Sequence, residues 1–488
     1  MIDTPQVDWF AISPSLALLG AAGVALLAAV ILPRSWVRPF GAFTAAAGYL
    51  GAGVAAGLLF AWSEDPEGVV SNAAVRDRWA ALAMLIVAGA GLLACGVAYA
   101  ERMADDHIGE YFAILSAAGA GMCFFVQANN LMSLFLGLEW FSIALYIMCA
   151  LDTHRATSLE AGLKYLIVGS FGSAVLLFGC ALVYGATGAL EFAAIAEAAR
   201  DDDGLLLAGL AMILAGLGFK ASAAPFHMWT PDVYQGSATP VTAFMSAATK
   251  VAALVLSFRL LVTAFPEQEE LWTVAVAVLA CASLAIGNLA ALVQRDVKRI
   301  LAYSSVSHAG FLLIAVAAAN EQGAKALLYY LIPYSAASLG AFAVVAARER
   351  ELQTPVTLHN LAGFGWERPF LGVALWIFML AFAGFPLTGG FVGKLYVFVA
   401  AYERGWTLLV IVGVAATAVS LYYYLGVIRA LYLRTEGELR LAPVGGSPPP
   451  ERLLQACVGA CVVVVVGSFF AVEPLIDLAE KAAASLPL

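Results

Sequence analysis

The sequence predicts an all-α polytopic membrane protein of about fourteen transmembrane helices, and three observations lead there. Of its 488 residues, 62% are hydrophobic and only 12% are charged, about half the charged share of an ordinary soluble domain. Apolar runs of roughly 20 residues, the length at which a helix crosses the hydrocarbon core with its backbone satisfied, follow one another along the chain. Lysine and arginine gather in every second connection between those runs, as they do in membrane proteins with a fixed orientation.

The fourteen spans lie at about 12–33, 39–62, 79–100, 110–127, 130–151, 160–186, 204–229, 237–264, 271–293, 299–319, 323–347, 369–402, 406–434 and 452–477. The connections are too short for a soluble domain, and only 441–450, with its GGSPPP, reads as a flexible stretch. Residues 1–9 lack the basic start of a signal peptide, and the first apolar run is long enough to span. The connections after odd-numbered spans hold Arg34, Arg38, Arg102, Arg155, Arg295, Lys298, Arg299, Arg348, Arg350, Arg368, Arg429, Arg434, Arg440 and Arg452. Those after even-numbered spans, with the two tails, hold Arg76, Arg78, Arg200, Arg404 and Lys481, beside the acidic run Asp201-Asp202-Asp203. That fourteen-to-five imbalance predicts that both termini face the outer side of the membrane.

Several functions are excluded by what the sequence holds. The seven cysteines lie in apolar runs with no CxxC pair and read as small hydrophobes. No iron–sulfur, haem or dinucleotide-binding signature occurs, and no polybasic tract suits a nucleic acid.

Six basic residues fall inside spans: Lys164, Lys220, Lys250, Arg259, Lys325 and Lys394. A lysine at mid-membrane costs at least ~2.5–3.5 kcal/mol and usually marks an ion path, whereas one near a helix end can snorkel to the surface. Lys325 and Arg259 sit near span ends and read as snorkelling, and Lys164 is close enough to its helix start to read either way. Lys220, Lys250 and Lys394 lie deep. The carboxylate that matches them is Glu139, central in the run LMSLFLGLEWFSIALYIMCAL. Buried alone it would be protonated or paired, and a buried Glu–Lys pair suits a pump because separating the two shifts the proton affinity of both. Lys220 and Lys164 are the candidate partners. Glu110, opening the fourth span, fits either an entrance carboxylate or a helix-start acid.

Two of the deep lysines lie beside helix breakers. Lys220 is followed by Pro225 in GLGFKASAAPFHMWTP, and Lys394 is preceded by Pro386, Gly389 and Gly390 in GFPLTGGFVGK. Breaks at membrane depth are tolerated where they line a protein-enclosed cavity, and paired broken spans mark a transporter's working site. The broken spans are the seventh and twelfth, five apart and starting on opposite sides. This predicts two inverted five-helix repeats, spans 4–8 (110–264) and 9–13 (271–434), after three N-terminal helices (1–109) and before a last helix at 452–477. Histidine, which titrates near neutrality, can bridge such lysines, and His227 and His308 are placed to do so. His107, His154 and His359 fall in connections.

These residues carry a resemblance. The stretch 216–253, with PDVY and PVTAFMS…K, resembles the signature of the N subunit of bacterial NADH:quinone oxidoreductase, complex I, and its organelle counterparts. The segments around Glu139, at 160–179, RDVKRILAYSSVSH and 384–394 support it, so that it runs from about Glu110 to Val427. PDVY favours N over the sibling subunits L and M, and the chain ends after its last span without the long lateral helix of L. Ala238, where the family commonly has proline, is a departure. The resemblance implies a fourteen-helix proton-translocating module without cofactors of its own, NADH, FMN, iron–sulfur clusters and quinone belonging to other subunits. It implies that Glu139 pairs with Lys220, that Lys250 connects, that Lys394 lies on the exit side, and that Lys164, His227 and His308 are polar positions of the same path. The implied partners are the lipid bilayer and other membrane-arm subunits, subunit M and the small K-type subunit among them, with no nucleic acid. A subunit of a multisubunit cation/proton antiporter shares most of these lysines and is the alternative. A purely structural scaffold would gain nothing from burying them.

Overall fold

In the computed structural model, residues 7–100, 107–199, 203–433 and 451–488 are described. The stretch 441–450, Asp201, Asp202, Arg102, Arg200, Arg434 and Arg440 lie outside them. The helices run α1 (Ser13–Ile31), α2 (Arg34–Trp62), α3 (Arg78–Ala100), α4 (Ile108–Val126), α5 (Leu131–Cys149), α6 (Ala156–Thr187), α7 (Phe192–Ala198), α8 (Gly204–Lys220), α9 (Thr230–Gly236) and α10 (Thr239–Ala264). They continue as α11 (Glu269–Leu292), α12 (Val297–Ala318), α13 (Glu321–Leu352), α14 (Phe364–Glu367), α15 (Pro369–Ala383), α16 (Gly389–Glu403), α17 (Thr407–Tyr432), α18 (Arg452–Phe470) and α19 (Val472–Ala483). Among the described residues twelve of these are long and apolar enough to cross a membrane, and α8 and α15 are shorter apolar helices standing where the seventh and twelfth spans are expected to break.

Helix starts follow local chemistry. Asp203, Asn130, Asp296 and Asn320 each accept a hydrogen bond from a free amide of the first turn of α8, α5, α12 and α13, satisfying donors that have no partner inside the helix. Sidedness then comes from side-chain size and polarity. Helix α6 leaves Leu163, Ile167, Phe171 and Phe178 exposed, and α17 leaves Leu408, Ile411 and Val414, the apolar outer face that a bilayer solvates. Helices α10, α12 and α13 are enclosed along nearly their whole length. Between α11 and α12 the backbones come close enough that a Cβ on Gly287 would stand 2.6 Å from the Ser307 amide nitrogen. Small residues permit this approach, which drives helix association where there is little water to expel.

Two features go beyond the sequence reading. A small hairpin, β1 (Glu67–Val69) paired antiparallel with β2 (Ala74–Arg76), joins α2 to α3. The last span stops at Phe470, and α19 is an amphipathic piece packed on α13 and α3. The breaks also fall slightly differently from expectation. The first is at 221–229, containing Pro225, and the second at 384–388, containing Pro386. Gly389 and Gly390 are therefore not in the break: they are the first two residues of α16. Their smallness serves packing, since a Cβ on Gly390 would collide with the Ala381 carbonyl and one on Gly389 with Ser468.

Candidate functional site

Four of the expected residues gather in the enclosed centre. Lys220 is 1% exposed, Lys250 0%, His308 1% and Lys394 4%. Each is held by an identifiable partner, and for two of them that partner is a helix break.

Helix α8 ends at Lys220, leaving carbonyls with no amide to bond. The Ala221 carbonyl accepts a hydrogen bond from the Lys250 ammonium at 3.1 Å. Helix α15 ends at Ala383, where Gly384 turns the chain with φ of +77°, a conformation that favours glycine. There Lys394 donates to the Phe382 carbonyl at 2.8 Å and the Ala383 carbonyl at 3.4 Å. The negative end of each broken helix thus faces an ammonium, the favourable polarity for a helix C-terminus. Lys394 also stands 4.3 Å from the centre of the Phe311 ring.

Lys220 has a different environment. Its ammonium is 3.4 Å from the Tyr146 hydroxyl, and the rings of Tyr146, Tyr165, Phe141 and Phe219 surround it at 5.1, 5.2, 5.5 and 5.7 Å. Ring faces stabilise a cation, so the charge is held by an aromatic cage. Glu139 acts on it through space and makes no contact pair: it lies within Coulombic reach of Lys220, while its Oε1 is buried without a hydrogen-bond partner. Glu139, Ser142 and Tyr146 are spaced i, i+3, i+7 along α5, which sets them on one face. Of the two lysines the sequence offers as partners of Glu139, neither forms an ion pair with it, and Tyr146 is the group in contact with Lys220.

His308 completes the row. Its Nδ1 is 2.8 Å from the Tyr330 hydroxyl and its Nε2 3.1 Å from the Tyr424 hydroxyl. Lys250 and Lys394 are both within Coulombic reach of the imidazole, and its ring centre is 5.2 Å from that of Phe382, whose carbonyl holds Lys394.

The remaining expected residues lie elsewhere. Lys164 is on an exposed face, paired with Glu160 at 2.8 Å and Asp232 at 2.9 Å. Asp232, of the PDVY segment, also holds Arg299 at 2.7 Å. His227 lies half-buried in the first break, its Nδ1 without a hydrogen-bond partner and its ring 6.4 Å from Tyr303. Lys325 pairs with Glu321 and Glu480 at 2.8 and 3.2 Å, and Arg259 forms a buried pair with Asp77 at 2.5 Å. Sequence reasoning did not find the cage aromatics or the tyrosines on His308. Their signal was weak, since aromatic residues are ordinary in spans, although Gly169 and Gly172 hint at large neighbours. A Cβ on Gly169 would collide with the Tyr146 hydroxyl, and one on Gly172 would stand 3.0 Å from the Phe219 ring.

The chain is similar to known proteins in sequence and in fold. The profile of the NADH:quinone oxidoreductase/Mrp antiporter transmembrane family matches residues 128–420. NADH-quinone oxidoreductase subunit N 2 of Roseiflexus castenholzii is 36% identical, over 98% of this chain and 97% of its own. A chain of respiratory complex I from Thermus thermophilus, solved with bound aureothin, superposes with a TM-score of 0.79 at 33% identity over 96% of this chain and 99% of that one. A chain of the Mrp complex from Dietzia superposes with a TM-score of 0.85 at 22% identity, over 97% of each chain, a likeness of fold. The chain belongs to the antiporter-like membrane-subunit family of NADH:quinone oxidoreductase, in the subunit N branch.

Proposed function

We propose that this chain is a proton-translocating, non-redox subunit of the membrane arm of an NADH:quinone oxidoreductase, working through the row Lys220, Lys250, His308 and Lys394 with Glu139 at its head. The observation that carries the reading is that three lysines and a histidine are each at most 4% exposed, and that Lys250 and Lys394 donate to carbonyls at the two helix breaks. Buried charge of this kind is expensive and belongs to ion paths.

Chemically, the row needs a trigger and a set of proton holders. When Glu139 is charged and near, the cage holds Lys220 as an ammonium; when that field weakens, exclusion from water favours the neutral amine over what the ring faces alone can hold. A proton released there is taken up by Lys250, whose ammonium is steadied by the Ala221 carbonyl. His308 then accepts a proton at one ring nitrogen while giving one up at the other, the tyrosine hydroxyls on both sides orienting the ring. Lys394 receives it at the second break. Lys164, off the row, serves the ion-pair network around Asp232. The trigger originates in quinone reduction within neighbouring subunits, subunit M and the small K-type subunit flanking this one, with both termini on the outer side of the inner membrane. The two broken spans support an inverted repeat of spans 4–8 and 9–13.

The test is Lys250→Met in membranes holding the whole complex. With assembly retained, pumping per NADH oxidised is expected to fall about fivefold or more, the lower end of a coupling between sites of ~1 kcal/mol and above. Unaltered pumping and turnover would return the chain to the role of scaffold.

A further inference from the structure

Lys298 is a fourth lysine that the helices enclose. It lies in the first turn of α12, within a cluster the sequence assigns to a connection, yet it is 1% exposed. Its ammonium donates to the Ser237 carbonyl at 2.9 Å and to the Thr239 hydroxyl at 3.0 Å, and stands 3.7 Å from Oε1 of Glu349. The Thr239 hydroxyl in turn donates to Oε2 of Glu349. This closes a triangle between the start of α12, the start of α10 and the end of α13. The Glu349 side chain is 19% exposed while that of Lys298 is 2% exposed, so the carboxylate meets water and the amine does not.

Other buried pairs in the chain are built on arginine. Arg259 holds Asp77, and Arg348 holds Glu351, as suits a permanent cation with a rigid fork. A lysine in the same kind of place differs in one respect, that it can give up its proton. Two observations lead inward from it. The hydroxyls of Ser237 and Tyr234 are buried without hydrogen-bond partners, unlike most buried polar groups. The Tyr234 ring lies 6.1 Å from that of Trp229, which stacks at 4.4 Å on Tyr165 of the Lys220 cage.

We propose that Lys298 and Glu349 form the intake couple that supplies protons to the buried row from its arginine-rich side. The carboxylate of Glu349 takes a proton from water and passes it to the neutral amine of Lys298. Lys298 then releases it along the hydroxyls of Ser237 and Tyr234 toward Lys220. Each transfer moves one proton and returns its donor to the starting form. The inference rests on the reading of the chain as a proton translocator.

The decisive variant is Lys298→Arg in the full complex, because arginine keeps the charge and the pair with Glu349 but does not deprotonate. The couple predicts normal amounts of assembled complex with pumping reduced about fivefold or more. Wild-type pumping in that variant overturns it and leaves Lys298 a structural ion. Glu349→Gln, which preserves shape and one hydrogen-bond acceptor, is measured beside it in case the larger guanidinium does not fit. Reduced pumping with intact assembly supports the couple, and unchanged pumping overturns it. Lys250→Met, run in parallel, separates the two levels of the argument. If it impairs pumping while both new variants pump normally, the intake couple is wrong and the row stands; if it too pumps normally, the row itself is wrong.

Discussion

The Lys250 ammonium donates to the carbonyl of Ala221, 3.1 Å away and just past the end of α8, and this contact ties an enclosed span to the broken end of another. Lys394 makes the corresponding contact with Phe382 at 2.8 Å at the second break. In both places the helix supplies open carbonyls and its negative pole, and the lysine supplies the missing donors.

Replacing Lys394 by methionine keeps the bulk of the stem and removes the charge. The expected result is an assembled complex in which protons moved per electron pair fall measurably, read with a pH-sensitive dye in inverted vesicles. An unchanged ratio would show that the row ends before α16.

The cage around Lys220 separates two contributions. Tyr146→Phe keeps the ring and loses only the hydroxyl at 3.4 Å, a long contact, so turnover is expected to stay within about twofold, the effect of well under 1 kcal/mol. Tyr146→Leu removes the ring face, a loss of ~0.5–2 kcal/mol of cation stabilisation, and pumping is expected to fall several-fold. Equal behaviour of the two variants would mean the ring faces do not hold the charge.

The Asp77–Arg259 pair, 3% exposed on both sides, is a matter of stability. Asp77→Ala leaves a buried guanidinium whose remaining partner among the described residues is the Val126 carbonyl at 3.0 Å, and breaking such a pair costs ~3–5 kcal/mol. The amount of assembled complex in membranes is expected to drop sharply. Asp77→Leu combined with Arg259→Met is expected to recover part of it, because no lone charge is left behind. A double variant no better than the single one would rule out that explanation.

Lys164→Ala removes an exposed ion pair with Glu160 and Asp232, and surface pairs are worth ~0–1 kcal/mol. Turnover and pumping are expected to stay close to normal, in contrast to Lys250→Met. A loss as deep as that of Lys250→Met would place Lys164 on the path after all.

Much of this molecule is legible in its sequence for a physical reason: a bilayer penalises every charge, so each one retained in a span is informative. Lys220, Lys250, Lys394 and His308 announce themselves in that way, and the breaks at Pro225 and Pro386 follow from the missing amide and the glycines beside them. Lys298 does not, because a lysine at the first turn of a span looks the same whether it points to water or inward. Lys164 misleads for the mirror-image reason: counted inside a span, it faces outward to Asp232. The cage around Lys220 joins residues from α5, α6 and α8, and no local pattern specifies which aromatic faces meet.

The bonds from Lys250 and Lys394 to spent helix ends are strongest while each nitrogen is charged, since a neutral amine keeps hydrogens to donate but loses the charge that strengthens the bond. A charge that leaves therefore slackens the main chain at the kink it was bracing, and a charge that arrives tightens it again. If protons move along the row as proposed, each change of charge also changes how firmly the kink beside it is held.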